Sequence, residues 1–258
     1  MKKSFNFKKL IEIYRVKNWF YYLGFVILGL IYNKQTHLNF PSLLISPFLL
    51  GYAYSLNDFY DRKTTGKYFL IPLLLSLILL LTLNFLQILV AVTFLVIVTI
   101  YSAEPFRLKK VPIVVTLLNG VGFSLLFLLG YWSQPSSAFP TEFFIILLFL
   151  NLSAQLIHEG VHMKEDKKEN IYTTALVCGR KNLKLLITSL LSISLIFILT
   201  LFFRKKVSLL FLISTIIFLL LSIYKIQTTP MNKEVRRCFR NGGIVTGVIW
   251  FISFYFNI

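Results

Sequence analysis

Long apolar runs alternate with short polar segments along nearly the whole chain. Each run has about 16 to 22 residues, and a helix of that length can cross the ~30 Å hydrocarbon core of a bilayer. We therefore predict an all-α polytopic membrane protein, a single domain over residues 1–258, with about nine transmembrane helices. The predicted spans are residues 18–33, 41–58, 68–83, 85–101, 111–132, 141–160, 183–203, 207–224 and 241–257.

The stretch from residue 68 to residue 101 is apolar almost throughout. As one helix it would be about 50 Å long, which is too long for a single crossing. Thr82, Asn84 and Gln87 interrupt it near its middle. We therefore predict that one helix ends and the next begins at Thr82-Leu83-Asn84.

The composition excludes a soluble protein with a large core, since 57% of the residues are hydrophobic and the mean hydropathy is +0.75. In a soluble protein the net charge of +17 would suggest a nucleic-acid partner. Here the positive-inside bias explains it better, because nine spans with a cytosolic N-terminus put 23 of the 27 Lys and Arg residues inside. Lys34 and Arg204-Lys205-Lys206 are the exceptions. In a prokaryote this predicts a plasma-membrane protein whose C-terminus lies outside.

Carboxylates are scarce, and most of the ten Asp and Glu residues gather at two places. Asn57, Asp58 and Asp61 end the second apolar run. Glu159, Glu165, Asp166 and Glu169 follow the sixth run. Spacings of three and four residues bring such side chains onto one helical face, which is typical of a divalent metal held between helices. The alternative is that these acids are solvated and cap interfacial helices.

The sixth predicted span carries a polar stripe at helical spacing, formed by Asn151, Gln155, Glu159, His162 and Asp166. Burying five such groups among Leu and Phe is costly unless they line a cavity or meet partners. An interhelical hydrogen-bond seam is the alternative. A zinc site from His158 and His162 lacks an evident third ligand.

The loop after the fourth run contains Arg107 and Lys109, which could neutralise the oxygens of a phosphate group. Such a basic loop could equally serve only to set the topology. Together with the acids it indicates a site in which carboxylates bind Mg²⁺, Mg²⁺ binds an anion, and apolar walls accept a lipid tail.

At these residues the chain resembles the UbiA family of intramembrane prenyltransferases. Asn57, Asp58 and Asp61 match its first motif, N-D-x-x-D-x-x-x-D, and Glu159, His162 and Asp166 occupy the acidic positions of its second. The further matches are Tyr101-Ser102 with Arg107-Leu108-Lys109, Arg15 with Asn18-Trp19, and Thr173-Thr174-Ala175 with Gly179. Departures are Thr65 and His162, which stand where the family has Asp, and Glu104, which stands where it has Pro.

The resemblance implies a ring of nine helices around a central cavity open to the cytosol and the bilayer. It implies an enzyme that transfers an isoprenoid chain, with Mg²⁺, from a prenyl diphosphate to an aromatic or other lipophilic acceptor in the membrane, in lipid or quinone biosynthesis. Neither nucleic acid nor an obligate protein partner is expected. The catalytic candidates are Asp58, Asp61, Arg107 and Lys109. The metal candidates are Asn57, Asp58, Asp61, Glu159 and Asp166, and the substrate-binding candidates are Asn18, Asn57, Asn119, Gln155, His162 and Lys109.

Three other functions remain open from the sequence. His162 and Thr65 favour a degenerate relative that binds a prenyl lipid or another protein without catalysis. A secondary transporter would place its acids at mid-depth rather than at helix ends. A lipid phosphatidyltransferase would carry a D-G-x-x-A-R run, which this sequence lacks. The acceptor stays open among quinone-ring, tetrapyrrole, glycerol-phosphate and carotenoid types.

Overall fold

A computed structural model describes residues 11–33, 40–61, 63–64, 66–134, 138–169 and 171–255. Within these ranges the regular structure is entirely helical. A short helical turn, Val16–Trp19, and a 3-10 turn, Phe20–Tyr22, lead into the first long helix. The long helices are α1 (Leu23–Tyr32), α2 (Phe40–Tyr60), α3 (Leu70–Leu80), α4 (Phe85–Ser102), α5 (Val114–Tyr131), α6 (Thr141–Lys168), α7 (Thr174–Phe203), α8 (Leu209–Thr228) and α9 (Lys233–Tyr255).

Each predicted span falls on one of these helices, so the all-α class is confirmed. Within the described residues, five helices are long and apolar enough to cross a membrane: α4, α5, α6, α7 and α8. The stretch Val16–Tyr32 and α3 are apolar but shorter. Nine crossings, and a central cavity open to the cytosol, stay predictions. Thr65 and the basic residues before residue 11 lie outside the described residues.

The predicted break near Thr82 is confirmed. Helix α3 ends at Leu80, and Asn84 begins α4 as its N-cap. The Asn84 side-chain oxygen accepts a hydrogen bond from the Gln87 backbone N–H at 3.1 Å, and the Gln87 side-chain oxygen accepts one from the Asn84 N–H at 3.2 Å. This reciprocal pair satisfies two backbone donors that a new helix would leave without partners.

Three helices extend beyond their predicted bounds on the charged side. Helix α6 continues to Lys168, α7 begins at Thr174 and α9 begins at Lys233. A prediction from hydropathy ends a span where charged residues begin. Lys and Glu are nevertheless good helix formers, so the helix continues through the charged turns. Within α7 the backbone leaves helical geometry at Gly179, where φ is 70° and ψ is 164°. A glycine adopts that conformation without a steric penalty.

The chain forms two compact units. The first comprises residues 1–107 and 125–137. In it α1 meets the last turns of α5 with almost no space between the backbones, because a Cβ built on Gly29 would lie 2.1 Å from the Phe127 carbonyl oxygen. Buried Gln87 donates to Ser42 Oγ at 2.6 Å and to the Leu129 carbonyl at 3.0 Å, which satisfies a polar group in an apolar interior.

The second unit comprises residues 108–124 and 138–258. Its core is an aliphatic cluster with Leu156 and Ile157 of α6, Leu183 and Ile187 of α7, and Leu219 of α8, all with 0–1% of their surface exposed. This core fixes the ends of α6, α7 and α8, where several charged side chains lie. The single domain over residues 1–258 stays a prediction.

Candidate functional site

The first acidic cluster forms where α2 ends. Asn57 and Asp58 lie in the last turn of the helix, and the backbone N–H of Asp61 still donates to the Asn57 carbonyl at 2.9 Å. The structure brings Asn57 and Asp61 together, with Asn57 Nδ2 donating to Asp61 Oδ2 at 3.1 Å. Asp58 is only 6% exposed. A buried carboxylate needs compensating charge or hydrogen bonds.

Arg15 and Lys63 supply that charge to Asp58, and Arg107 pairs with Asp61. Arg15 Nη1 lies 2.9 Å from Asp58 Oδ1. Lys63 Nζ lies 3.9 Å from Asp58 and 3.6 Å from Asp61. Arg107 Nη2 lies 3.3 Å from Asp61 Oδ1 and also donates to the Tyr60 carbonyl at 3.1 Å. The cluster therefore combines oxygen donors suited to a hard metal ion with cations suited to an anion.

The two arginines share an unusual backbone conformation. Arg15 has φ of 51° and Arg107 has φ of 39°, so both lie in the left-handed region that non-glycine residues seldom occupy. The Arg15 guanidinium also lies 5.4 Å from the centre of the Tyr54 ring. With its amide oriented to satisfy its hydrogen bonds, Asn18 accepts from Arg15 Nε and Nη2, each at 2.9 Å. Asn18 thus orients the cation that pairs with Asp58.

Glu159 is the centre of the second cluster and is 3% exposed. Its Oε1 accepts hydrogen bonds from Thr116 Oγ1 at 2.8 Å and from Gln155 Nε2 at 3.0 Å. Its Oε2 accepts from the backbone N–H of Ala175, in the first turn of α7, at 3.1 Å. Thr116 in turn lies 2.7 Å from Thr174, so one carboxylate joins the starts of α5 and α7 to α6.

Part of the polar stripe of α6 forms an interhelical seam. Asn151 Nδ2 donates to Ser124 Oγ of α5 at 3.0 Å, and Glu159 accepts from Thr116 of the same helix. Asn119 of α5 donates to the Val115 carbonyl of its own helix at 3.2 Å.

The charged end of the stripe is more exposed. His162 Nδ1 lies 2.5 Å from Glu165 Oε2, and its ring centre is 4.7 Å from that of His158. Asp166 is half-buried in the same helix, and Lys109 is half-buried in the 3-10 turn Leu108–Lys110 of the second unit. In the described part of the chain, no group of three or more Cys, His, Asp or Glu side chains is placed to hold a metal ion.

Sequence reasoning assigned no site role to Arg15, Lys63, Thr116 or Thr174. The basic pair could have been suspected, because Asp58 needs a counter-charge if buried and the predicted topology puts Arg15 and Lys63 on the same side of the membrane as Asp58. Thr174 belongs to the Thr173-Thr174-Ala175 match to the family, which gave it no specific role, and no signal in the sequence pointed to Thr116.

The comparisons with known proteins identify the family and the fold. The sequence profile of the UbiA prenyltransferase family matches residues 63–243. The chain belongs to this family. The resemblance predicted from the motifs is therefore confirmed. The matched range includes the acidic end of α6 and begins just after that of α2, and the roles of the site residues stay predictions.

Solved UbiA structures share the fold. A UbiA homolog from Archaeoglobus fulgidus bound to Cd²⁺ is 19% identical with a TM-score of 0.78, covering 96% of this chain and 98% of that one. The same homolog bound to GPP and Mg²⁺ is 20% identical over the same shares, again with a TM-score of 0.78. A structure from work on the biosynthesis of digeranylgeranylglyceryl phosphate synthase in membranes is 22% identical, with a TM-score of 0.73 and 96% of each chain covered. No curated protein sequence matches the chain.

Proposed function

We propose that this chain is a Mg²⁺-dependent prenyltransferase, moving an isoprenoid chain from a prenyl diphosphate to a lipophilic acceptor in the membrane. The observation that carries the proposal is the first cluster, in which Asp58 and Asp61 meet Arg15, Lys63 and Arg107. UbiA relatives with this fold have been solved with GPP and Mg²⁺ and with DMAPP and Mg²⁺. In a prokaryote the site would face the cytosol from the plasma membrane.

The donor set of the cluster fits Mg²⁺. Asp58 and Asp61 offer carboxylate oxygens and Asn57 an amide oxygen, and Mg²⁺ prefers one or two carboxylates together with substrate phosphates. These three residues would hold the ion. When bound, it would supply positive charge that neutralises a diphosphate as it leaves.

The cations of this chain would act on the same leaving group. In the transfer, the allylic C–O bond breaks and its electron pair leaves with the diphosphate. The acceptor atom supplies the pair for the new bond and gives its proton to solvent. Arg107 and Lys63, already beside Asp61, would turn their N–H groups to the diphosphate oxygens as negative charge grows there. Lys109, in the second unit, stays a predicted catalytic residue.

The remaining predicted residues receive more limited roles. Asn18 would act through Arg15, whose guanidinium it contacts. Asn119, Gln155 and His162 stay predicted substrate contacts, and Glu159 with Asp166 stays a predicted second metal set. For Glu159 a metal would have to replace hydrogen bonds that both carboxylate oxygens already accept. This favours a structural role for Glu159.

The proposal is tested by measuring geranyl diphosphate binding and diphosphate release with and without Mg²⁺, in nanodiscs that contain the host's lipid extract as the acceptor source. We expect Asp61→Asn and Arg107→Gln each to lower the release rate about 100-fold, the usual cost of removing one electrostatic contact from a transition state. Glu104→Gln is the matched control, because Glu104 also lies beside Arg107 but is 69% exposed. Equal rates of diphosphate release in the unsubstituted protein and in all three variants would refute the roles assigned to Asp61 and Arg107.

A non-catalytic prenyl-lipid-binding protein is the second candidate. It is favoured by the second cluster, where Glu159 is engaged by protein donors and His162 pairs with Glu165. In that case the protein would bind geranyl diphosphate in the same assay, with or without Mg²⁺, and would release no diphosphate. Release that requires Mg²⁺ excludes this candidate.

A further inference from the structure

A further charged site lies in the second unit, beside the charged end of α6. A cavity of about 510 Å³ opens where the C-terminal end of α6, the N-terminal end of α7 and the chain after α8 come together. Lys164, Arg180 and Lys184 line it from the two helices. Thr229 and Met231 line it from the segment after α8.

The described carboxylates do not pair with these three cations. In the part of the chain that the structure describes, no carboxylate forms an ion pair with Lys164, Arg180 or Lys184. Lys184 Nζ donates instead to two backbone carbonyls, of Gln227 at 3.0 Å and of Thr229 at 2.9 Å. An ammonium group has three N–H donors, so one remains for a ligand while the other two fix its position. The cavity is therefore electropositive and partly preorganised.

A preference for positive charge on one side of a membrane explains only why basic residues lie in a loop. It does not require three of them to line one concave site from two helices. Lys167 and Lys181 lie on the same two helices and, like Lys164 and Arg180, are exposed, yet they do not line the cavity. The convergence of the cavity cations, rather than their number, indicates binding of a compact anion such as a phosphate group.

The surroundings indicate that this phosphate belongs to a lipid. Met231 and Pro230 give the cavity an apolar wall. Next to the cavity residues in the sequence, α7 exposes Leu185 at 65% and α8 exposes Tyr224 at 66%. Exposed apolar side chains on membrane-spanning helices face acyl chains, whereas basic pockets between the ends of such helices accept lipid headgroups.

We propose that this cavity binds the phosphate of an anionic phospholipid headgroup, with the acyl chains lying along the exposed apolar faces of α7 and α8. The phosphate oxygens would accept hydrogen bonds from Arg180, Lys164 and the remaining N–H of Lys184. The bound lipid would also lie next to the second acidic cluster. Met231 lies against Gly160, where an added Cβ would come within 3.4 Å of its Cγ, and Gly160 follows Glu159 in α6.

The test is native mass spectrometry of the full chain, purified in detergent and titrated with phosphatidylglycerol or with phosphatidylcholine. The pocket variant Lys164→Gln with Arg180→Gln is compared with Lys167→Gln with Lys181→Gln, which removes the same charge from the same helices. We expect the pocket variant to bind phosphatidylglycerol about tenfold more weakly, a loss of about 1.4 kcal/mol. The control variant should change by less than about twofold. Circular dichroism establishes that both variants are folded, and the single change Lys164→Gln should give an intermediate loss.

Three outcomes would overturn the proposal. Equal weakening in both double variants would mean that only general surface charge attracts the lipid. Equal binding of phosphatidylcholine would remove the role of the anionic headgroup. Displacement of phosphatidylglycerol by millimolar inorganic phosphate, or phosphate binding that the pocket variant loses, would show that the site takes a soluble anion instead.

Discussion

Arg15 and Arg107 show how the first cluster depends on residues far apart in the chain. Arg15 is 43 positions from Asp58, and Arg107 is 46 positions from Asp61. Each arginine adopts a left-handed backbone conformation, which costs a non-glycine residue on the order of 1 kcal/mol or more. Helical spacing predicted that Asn57 and Asp61 would meet, because both lie in one helix. It carried no information about which loop cations would reach them.

Glu159 provides a prediction at the scale of one residue. Glu159→Gln keeps the shape of the side chain but directs an NH₂ group at donors in Thr116, Gln155 or the Ala175 backbone. We expect a loss of about 1–3 kcal/mol in the free energy of unfolding, because a buried donor is left unsatisfied. Thermal unfolding in detergent, followed by circular dichroism, measures this loss. Glu159→Ala should cost more.

The same variant distinguishes a structural role from a metal-binding role. If Glu159 only joins three helices, folded Glu159→Gln should bind geranyl diphosphate with an unchanged Mg²⁺ requirement, unlike Asp61→Asn. A raised Mg²⁺ requirement with an unchanged unfolding temperature would contradict the structural role. It would also support the predicted second metal set.

At the scale of elements, the contact between α1 and the end of α5 is set by two glycines. A Cβ on Gly29 would lie 2.1 Å from the Phe127 carbonyl oxygen, and one on Gly130 would lie 2.0 Å from the Val26 carbonyl oxygen. Neither carbonyl can rotate away as a flexible side chain could. We expect Gly29→Ala and Gly130→Ala each to lower the free energy of unfolding by about 3 kcal/mol, or to prevent folding. Thermal unfolding of the purified variants is the measurement.

Gly24 in the same helix serves as the control, since no described atom outside its chain neighbours and its own helix backbone lies within 4 Å of its added Cβ. Gly24→Ala should be neutral or stabilise α1 by up to about 1 kcal/mol, because alanine is the better helix former. If the Gly24→Ala and Gly29→Ala variants unfold at the same temperature, the close backbone contact is not the reason that position 29 requires glycine.

The positions of the helices could largely be predicted from the sequence, because a bilayer forces apolar runs into helices of definite length. The break before Asn84 was visible as a cluster of polar residues, and the capping pair with Gln87 explains it. The helical turns before residue 241 in α9 were not visible, because they are charged and lie beyond the apolar run. The packing partners of each helix were also hidden, since hydropathy does not distinguish one apolar face from another.

At the scale of the whole molecule, the charge distribution predicts an orientation. Thr141 and Lys168 mark the two ends of α6, and both are exposed. In a background with Cys178→Ser and Cys238→Ser, Thr141→Cys should react with an impermeant thiol reagent added to intact cells. Lys168→Cys should react only after the membrane is opened. The opposite labelling pattern would invert the orientation, and labelling of both sites in intact cells would mean that α6 does not cross the membrane.

Family membership and helix content were accessible from the sequence as a whole, since motif order and apolar runs are properties of the chain alone. The acceptor was not, because it depends on the shape of a binding surface that many side chains build together. Nor did the sequence indicate the basic cavity, because Lys164, Arg180 and Lys184 looked like residues that set topology. Their convergence arises only from the packing of α6, α7 and α8.

The shortness of α3 has a consequence for the lipid beside it. Its 11 residues span about 16 Å, and the turns from Tyr68 to Leu83 lengthen this to about 24 Å, less than a ~30 Å hydrocarbon core. Leu74 and Ile78 are exposed, and the crossing predicted for α3 would require the bilayer to thin locally to cover this helix. We expect the protein to unfold at a higher temperature in nanodiscs of 14-carbon phosphatidylcholine than in those of 18-carbon phosphatidylcholine. A higher unfolding temperature in the thicker bilayer would show that α3 causes no thinning. It would also mean that the protein has no preference for the thinner of two membranes.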